Sequence, residues 1–445
     1  MTQTLQAGFA QRDFVPPPGT SRSTWGVYST VPTETAAPLK VSASVLDDGP
    51  TRVAIVSIDA VHISDAAGRP CREEIARRCG TKIENVVLQY SHTHEGPDFA
   101  AGGSALALAL REQACECVQT ALLDLAPTRI QLAAKSVGGL NINRRRREQE
   151  VDKTLSVVSF ERPGRSPAIW FHFTAHPLTA MGYDSRWSAD FPGYVIAALK
   201  RSQPGIHAQF LQGAGGDVGP LDWWMGNATP EFPTHDDTAR RMGEKLAAEV
   251  EALLSASTAI AGEKITVQQR RVALDHRKFW FTEREVRELI NETALRLEQN
   301  PPGPWGSRLH VSTVAQSEPD VYMLCGARCI LGMFPNQHKT IPCELQVIRI
   351  GSLTLATNPG ELFSELATEI RNANRSGPTL VMSYCNDVIS YIPTRRDLEE
   401  LHGLPFREWI DQPKYRWAYG ATITTRVAEN AGENIVRITS EMLNA

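Results

Sequence analysis

Short apolar runs closed by polar turns alternate along the chain with longer segments whose apolar positions recur every three or four residues, a pattern that predicts strands and helices in turn. "RVAIVSIDA" reads as a strand, "GRPCREEIARRCG" as a helix, "NVVLQYS" as a second strand and "SALALALREQACECVQTALLDL" as a long helix. Strands follow at "RIQLAAKSV", "LSVVSFE" and "AIWFHFT", and the helices "FPGYVIAALKRS" and "DDTARRMGEKLAAEVEALLS" flank the strand "HAQFLQ". Late in the chain the strand "LTLATNPGE", the helix "LFSELATEIRNA" and the strand "TLVMSYCND" repeat the early order. Interleaved elements of this kind imply an α/β protein of mixed β-sheets flanked by α-helices. In the early and the late unit alike, the first strand ends near an acid, Asp59 or Glu361, and the second ends in polar residues, His92 or Asn386. This hints at two related halves that share a site where strand ends meet.

Composition narrows the picture. The 445 residues are 42% hydrophobic and 22% charged, as in a globular protein with a large core. There is no Ser/Gly linker, low-complexity tract or charge block to divide the chain, so a single domain over residues 1–445 is expected. A net charge of -4 argues against a nucleic-acid partner, and the run Arg144, Arg145, Arg146, Arg147 reads by itself as a solvated face. No stretch has the roughly 18 apolar residues of a membrane span, and "MTQTLQAGFAQRDF" lacks the basic start and apolar run of a signal peptide. The expected location is cytoplasmic. The eight cysteines form no CxxC pair, and most of them read as buried free thiols rather than a disulfide framework or a zinc ribbon.

Four stretches carry candidate chemistry. In "VVLQYSHTHEGPD" a strand runs into His92 and His94, which are either a metal or acid/base site or a pair of hydrogen-bonded histidines. In "FHFTAHPLTAMG" another strand delivers His176, with His172 read as packing. In "FLQGAGGDVGP" glycines including Gly216 surround Asp217, in a turn that lets backbone approach a ligand but lacks the phosphate-loop pattern. In "TNPGELFSE" Glu361 stands at a helix start, where the helix dipole favours a carboxylate in any case.

Taken together, the chain resembles the catalytic domain of the neutral ceramidase family. The family's Ser-His-Thr-His-x-Gly-Pro appears as "SHTHEGP", its Ile-Asn-Arg within "NINR", its Asn-His-Pro-Thr as "AHPLT" and its Ser-x-Asp-x-x-Gly-Tyr as "SADFPGY". Its Gly-Asp-Val-Ser-Pro appears as "GDVGP", its Pro-Gly-Glu-Phe as "PGEL" and its Asn-x-x-x-x-Tyr-Ile-Thr-Thr as "NDVISYIPT". The motifs occur in the same order. The resemblance implies a neutral-ceramidase-like fold and one zinc ion held by His92, His176, Glu361 and Tyr391, a donor set that can still admit water. It further implies that His94 is a proton shuttle or oxyanion stabiliser and that Arg144 binds substrate or developing negative charge, leaving the other three arginines of the run solvated. Asp217 would then orient a ligand histidine or tie down backbone N–H groups.

Two departures bear on specificity. Gly219 stands where the family has a serine, so no hydroxyl is available there, and the chain stops at Ala445 without the immunoglobulin-like domain that follows in ceramidases. The reading that follows is a zinc-dependent amidohydrolase that cleaves an N-acyl amide bond of a small polar substrate through metal-activated water. Glu95, in place of a small residue, favours a second reading, hydrolysis or elimination on a sugar or cyclitol derivative. The third is a metal- or ligand-binding protein without activity. Trp223 and Trp224 are further candidates for lining a pocket.

Overall fold

The computed structural model of the protein describes residues 4–22, 31–97, 99, 104–179, 186–220, 235–301, 319–400, 402–411 and 423–445. Trp223 and Trp224 lie outside the described residues. Three mixed sheets dominate the architecture. The first contains β1 (Gln6–Asp13), β2 (Lys40–Asp47), β3 (Arg52–Ile58) and β4 (Val86–Tyr90), in the order β4-β3-β2-β1 with a short edge strand Ala126–Pro127, and is covered by α1 (Asp65–Cys79) and α2 (Ala105–Leu123). The second contains β5 (Arg129–Ser136), β6 (Thr154–Glu161), β7 (Ala168–Phe173) and β8 (His207–Gln212), in the order β8-β7-β6-β5 with an edge strand Thr258–Ala259, under α3 (Asp190–Ser202) and α4 (His235–Leu254). The third runs β9 (Ile265–Asp275), β10 (Thr340–Ile350), β11 (Leu353–Thr357) and β12 (Thr379–Met382). The helices α7 (Ser364–Ala373) and α8 (Ala431–Leu443) cover it, whereas α5 (Glu283–Gln299) and α6 (Pro319–Met333) pack on each other around a separate apolar cluster with Phe406 and Trp409.

Each sheet contains one parallel pair, formed across a helix: β3-α1-β4, β7-α3-β8 and β11-α7-β12. The sequence pattern hints at two such units, and the described residues form three. The pairs end in step, with Ile58 opposite Tyr90, Phe173 opposite Gln212 and Thr357 opposite Met382. Strands buried on both faces need near-continuous apolar runs, and β3 shows how they are used. Val53 and Ile55 join a central cluster that draws Trp170 and Leu211 from the second sheet and Ile348 and Leu355 from the third. Ala54, Val56 and Ile58 point the other way, into the cluster under α1 and α2. Each fully buried aliphatic or aromatic side chain contributes roughly 1.5–3 kcal/mol, so this shared centre fixes the sheets against one another.

Polar side chains set the register between the sheets where the parallel pairs end. Gln89 on β4 donates to the carbonyls of Gln212 (2.9 Å) and Ser383 (2.8 Å), and its own carbonyl oxygen accepts from the Gln212 N–H (3.2 Å). Tyr90 N–H bonds to the Tyr384 carbonyl and Asn386 N–H to the Leu88 carbonyl. The C-terminal ends of the three parallel pairs therefore converge. Among the described residues no helix is long and apolar enough to cross a membrane.

Candidate metal centre

His92 comes two residues after β4, at φ 67°, a left-handed conformation that is uncommon without glycine. The turn is held by Ser91 N–H to Ile58 O (2.9 Å) and His92 N–H to Ala60 O (3.0 Å), and it carries the imidazole off the strand. His92 Nδ1 lies 2.5 Å from the Val61 carbonyl, so it bears the proton and leaves the Nε2 lone pair facing inward. His176, just beyond β7, repeats the device: its Nδ1 is 3.0 Å from the Gly215 carbonyl and its Nε2 is likewise free of a proton. Glu361 lies on a two-residue strand, Glu361–Leu362, paired in parallel with Tyr391–Ile392, and the register sets Glu361 directly beside Tyr391.

These groups meet. His92 Nε2 is 3.2 Å and His176 Nε2 3.8 Å from the same Glu361 oxygen, and His94 Nε2 is 3.2 Å from His176 Nε2. Zinc bonds of about 2.0–2.1 Å in a tetrahedral shell put neighbouring donor atoms about 3.3 Å apart, so these separations fit a metal ion. His92 Nε2 and Glu361 Oε2 are both buried and make no hydrogen bond. Two facing lone pairs in a low-dielectric interior repel unless a cation lies between them. Burial, reinforced by Arg144 and the neighbouring histidines, holds His94 and His176 well below the usual histidine range, in the neutral form that ligates metal. Of the three histidines, His94 alone is partly exposed.

Around this centre the remaining candidates divide. The buried Arg144 guanidinium donates to the Gly216 carbonyl (2.7 Å) and to the Tyr391 hydroxyl (2.9 Å), whose own proton is directed to Glu361. Burial pushes the Tyr391 phenol up. Asn143 aims Arg144 inward: its side-chain carbonyl takes the N–H groups of Arg145 (2.9 Å) and Arg146 (2.8 Å), turning the chain after Asn141–Asn143, a strand paired with Val218–Pro220. Asp217 makes no hydrogen bond to His92, His94 or His176. Its carboxylate accepts from Asn143 Nδ2 (3.0 Å), the Ser364 N–H (2.7 Å) and the Ser364 hydroxyl (3.1 Å), so it ties the glycine turn to the start of α7, and burial pushes its pKa up to about 6. Gly216 is the point of closest approach: a Cβ there would lie 2.3 Å from the Glu361 carbonyl oxygen.

Two residues do other work than their neighbours suggest. Arg145, expected on a solvated face, is buried like Arg144 and ion-paired with Asp397 at 2.6 Å, because the turn at Asn143 carries both residues inward; Arg146 reaches Asp397 and Glu400. Glu95 is buried and ion-paired with Arg22 from the N-terminal segment. His172 Nε2 is 2.9 Å from the Val381 carbonyl and joins the second and third sheets, a packing role. In "SADFPGY", Ser188 braces the double-histidine loop, its carbonyl accepting from Thr93 Oγ1 (2.8 Å) and its N–H donating to the Glu95 carbonyl (3.2 Å). Sequence reasoning misses Tyr384, whose ring stacks on His92 at 4.2 Å. It belongs to no motif, and its only signal is a place just beyond β12.

No family model and no curated protein sequence matches the chain. Solved structures do. The neutral ceramidase from Pseudomonas aeruginosa superposes with a TM-score of 0.72 at 16% sequence identity, over 99% of this chain and 74% of that one. A ceramidase complexed with C2 gives the same TM-score, 0.72, and the same identity, 16%, over 99% of this chain and 75% of that one. At this identity the likeness is one of fold: three mixed sheets with flanking helices, arranged as in neutral ceramidase.

Proposed function

We propose that the protein is a zinc-dependent hydrolase that cleaves an N-acyl amide bond of a small polar substrate. The observation that carries this reading is the convergence of the His92 and His176 Nε2 atoms on one Glu361 oxygen, with two of these three buried atoms lacking any hydrogen bond. His92, His176, Glu361 and Tyr391 would hold the ion. When bound, zinc supplies Lewis acidity, polarising an acyl oxygen and lowering the pKa of water to about 7. The amide as scissile bond draws support from the likeness to ceramidase structures.

The chain's own residues supply the rest. His94 is neutral at pH 7 and partly exposed, so its ring can accept a proton from attacking water and return it to the departing amine. Arg144, held by Gly216 and Tyr391, places a fixed positive charge where an oxyanion develops. Gly219 offers no hydroxyl, which favours water over a side-chain nucleophile and direct hydrolysis without an acyl-enzyme. The sugar-derivative reading leans on Glu95, whose carboxylate is engaged by Arg22 inside the protein.

Elemental analysis of the purified chain should find about one zinc, largely lost in His92→Ala and Glu361→Ala. A panel of chromogenic amides and esters should be turned over with small polar acyl amides preferred, and a chelator should abolish turnover. Full metal occupancy in both variants, or turnover indifferent to chelator, contradicts the proposal.

A further inference from the structure

We infer that Tyr384 is a positioning residue of the metal centre: its ring holds the His92 imidazole in the plane that turns Nε2 toward Glu361. The inference rests on the metal reading above. Tyr384 is fully buried and has φ 60°, a left-handed backbone that a bulky residue adopts only where the surroundings enforce it. Its N–H donates to the carbonyl of Gly360, the residue before Glu361, and its carbonyl accepts from the N–H of Tyr90, two residues before His92. One residue thus joins the two loops that carry opposed ligand atoms.

The ring completes that link. His94 and His176 meet His92 edge-on, at 88° and 81°, whereas Tyr384 lies nearly parallel to it, at 25° and 4.2 Å between centroids. The single side-chain hydrogen bond of His92, Nδ1 to Val61 O, leaves the imidazole free to tilt about that line. A flat face against the ring removes the tilt, as outer-shell partners of metal-bound histidines do. The phenol also reaches the loop that holds His176: a Cβ on Gly215 would sit 3.1 Å from Tyr384 Oη, and the Gly215 carbonyl receives His176 Nδ1. The Tyr384 hydroxyl makes no hydrogen bond, so the ring rather than the oxygen does the holding.

The test uses cobalt(II) as a visible probe in the 445-residue chain, comparing wild type, Tyr384→Phe and Tyr384→Leu by chelator competition and by the d–d absorption spectrum. Tyr384→Phe should keep the wild-type spectrum and an affinity within about twofold, whereas Tyr384→Leu should bind about 10- to 100-fold more weakly with an altered spectrum. Should the Leu variant fail to fold, Tyr384→Met, flexible and without a flat face, is read in the same way. Wild-type affinity and spectrum in the Leu or Met variant, or equal losses in Phe and Leu, overturn the inference. Failure of the wild type itself to bind cobalt would instead overturn the metal reading.

Discussion

Adding one methyl group at Gly216 separates steric placement of Glu361, the carboxylate proposed to hold the metal, from every other influence on the site. The Gly216 backbone lies outside the left-handed region, so alanine meets no conformational penalty there. Its Cβ would, however, sit 2.3 Å from the Glu361 carbonyl oxygen, 2.9 Å from the Glu361 carbonyl carbon and 2.9 Å from the Leu362 carbonyl oxygen, all backbone atoms. A carbon–oxygen contact needs more than about 3.2 Å at van der Waals separation, so the turn and the Glu361–Leu362 strand must part by about 1 Å. Metal–ligand distances tolerate only about 0.2 Å, and an error of about 1 Å in a reacting geometry can cost about 10²-fold in rate. Gly216→Ala should therefore weaken zinc binding at least about tenfold, reduce turnover about 10²-fold and lower the unfolding free energy by about 1–3 kcal/mol, the usual range for overpacking. Gly138→Ala is the control. Its Cβ would meet nothing within 4 Å, and its backbone also lies outside the left-handed region. Chelator competition, amide turnover and urea unfolding on both variants make the test. Equal effects of the two substitutions, or wild-type zinc affinity in Gly216→Ala, would refute the reasoning.

His94→Ala should retain zinc by elemental analysis while losing about 10²- to 10⁴-fold in turnover; loss of the metal together with activity would make His94 a ligand. Burial pushes the Asp217 carboxyl up from its ordinary 3.8 to about 6, so between those values the folded state holds a proton that the unfolded state has released. Its contribution to stability then falls as pH rises, by up to about 1.4 kcal/mol per unit, and Asp217→Asn should flatten that part of the profile in urea titrations between about pH 4 and pH 6. An unchanged pH slope would count against the assignment. Arg145→Met leaves Asp397 buried beside a single half-buried arginine and should cost about 3–5 kcal/mol in unfolding free energy. A cost below about 1 kcal/mol would show the pair to be as weak as a surface ion pair.

Local apolar patterning was enough to mark which segments become buried strands, but not their direction, and it carried the two late ones on to Glu361 and Asp387, past their ends at Thr357 and Met382. The apolar runs of the strands ending at Ile58, Tyr90, Phe173, Gln212, Thr357 and Met382 need no partner to be recognised, because burial on both faces demands uninterrupted apolar residues. The residue types beyond those ends, including His92, His176 and Glu361, are legible too, since a strand that closes in ligand-type side chains is a local pattern. β9 was not legible in this way. Gln268, Gln269, Arg270 and Arg271 interrupt its apolar residues, and it is defined by antiparallel pairing with β10 about seventy residues later. That three parallel pairs, rather than two, converge depends on contacts such as Gln89 to Gln212 and Ser383, which join residues far apart in the chain and leave no local pattern. The same holds for Arg145 turning inward to Asp397, for Arg22 engaging Glu95 and for the Tyr384 ring lying flat on His92. A metal centre is specified by donor atoms placed to a few tenths of an ångström, whereas a sequence pattern locates a strand end only to within a few residues, roughly ten ångströms of chain.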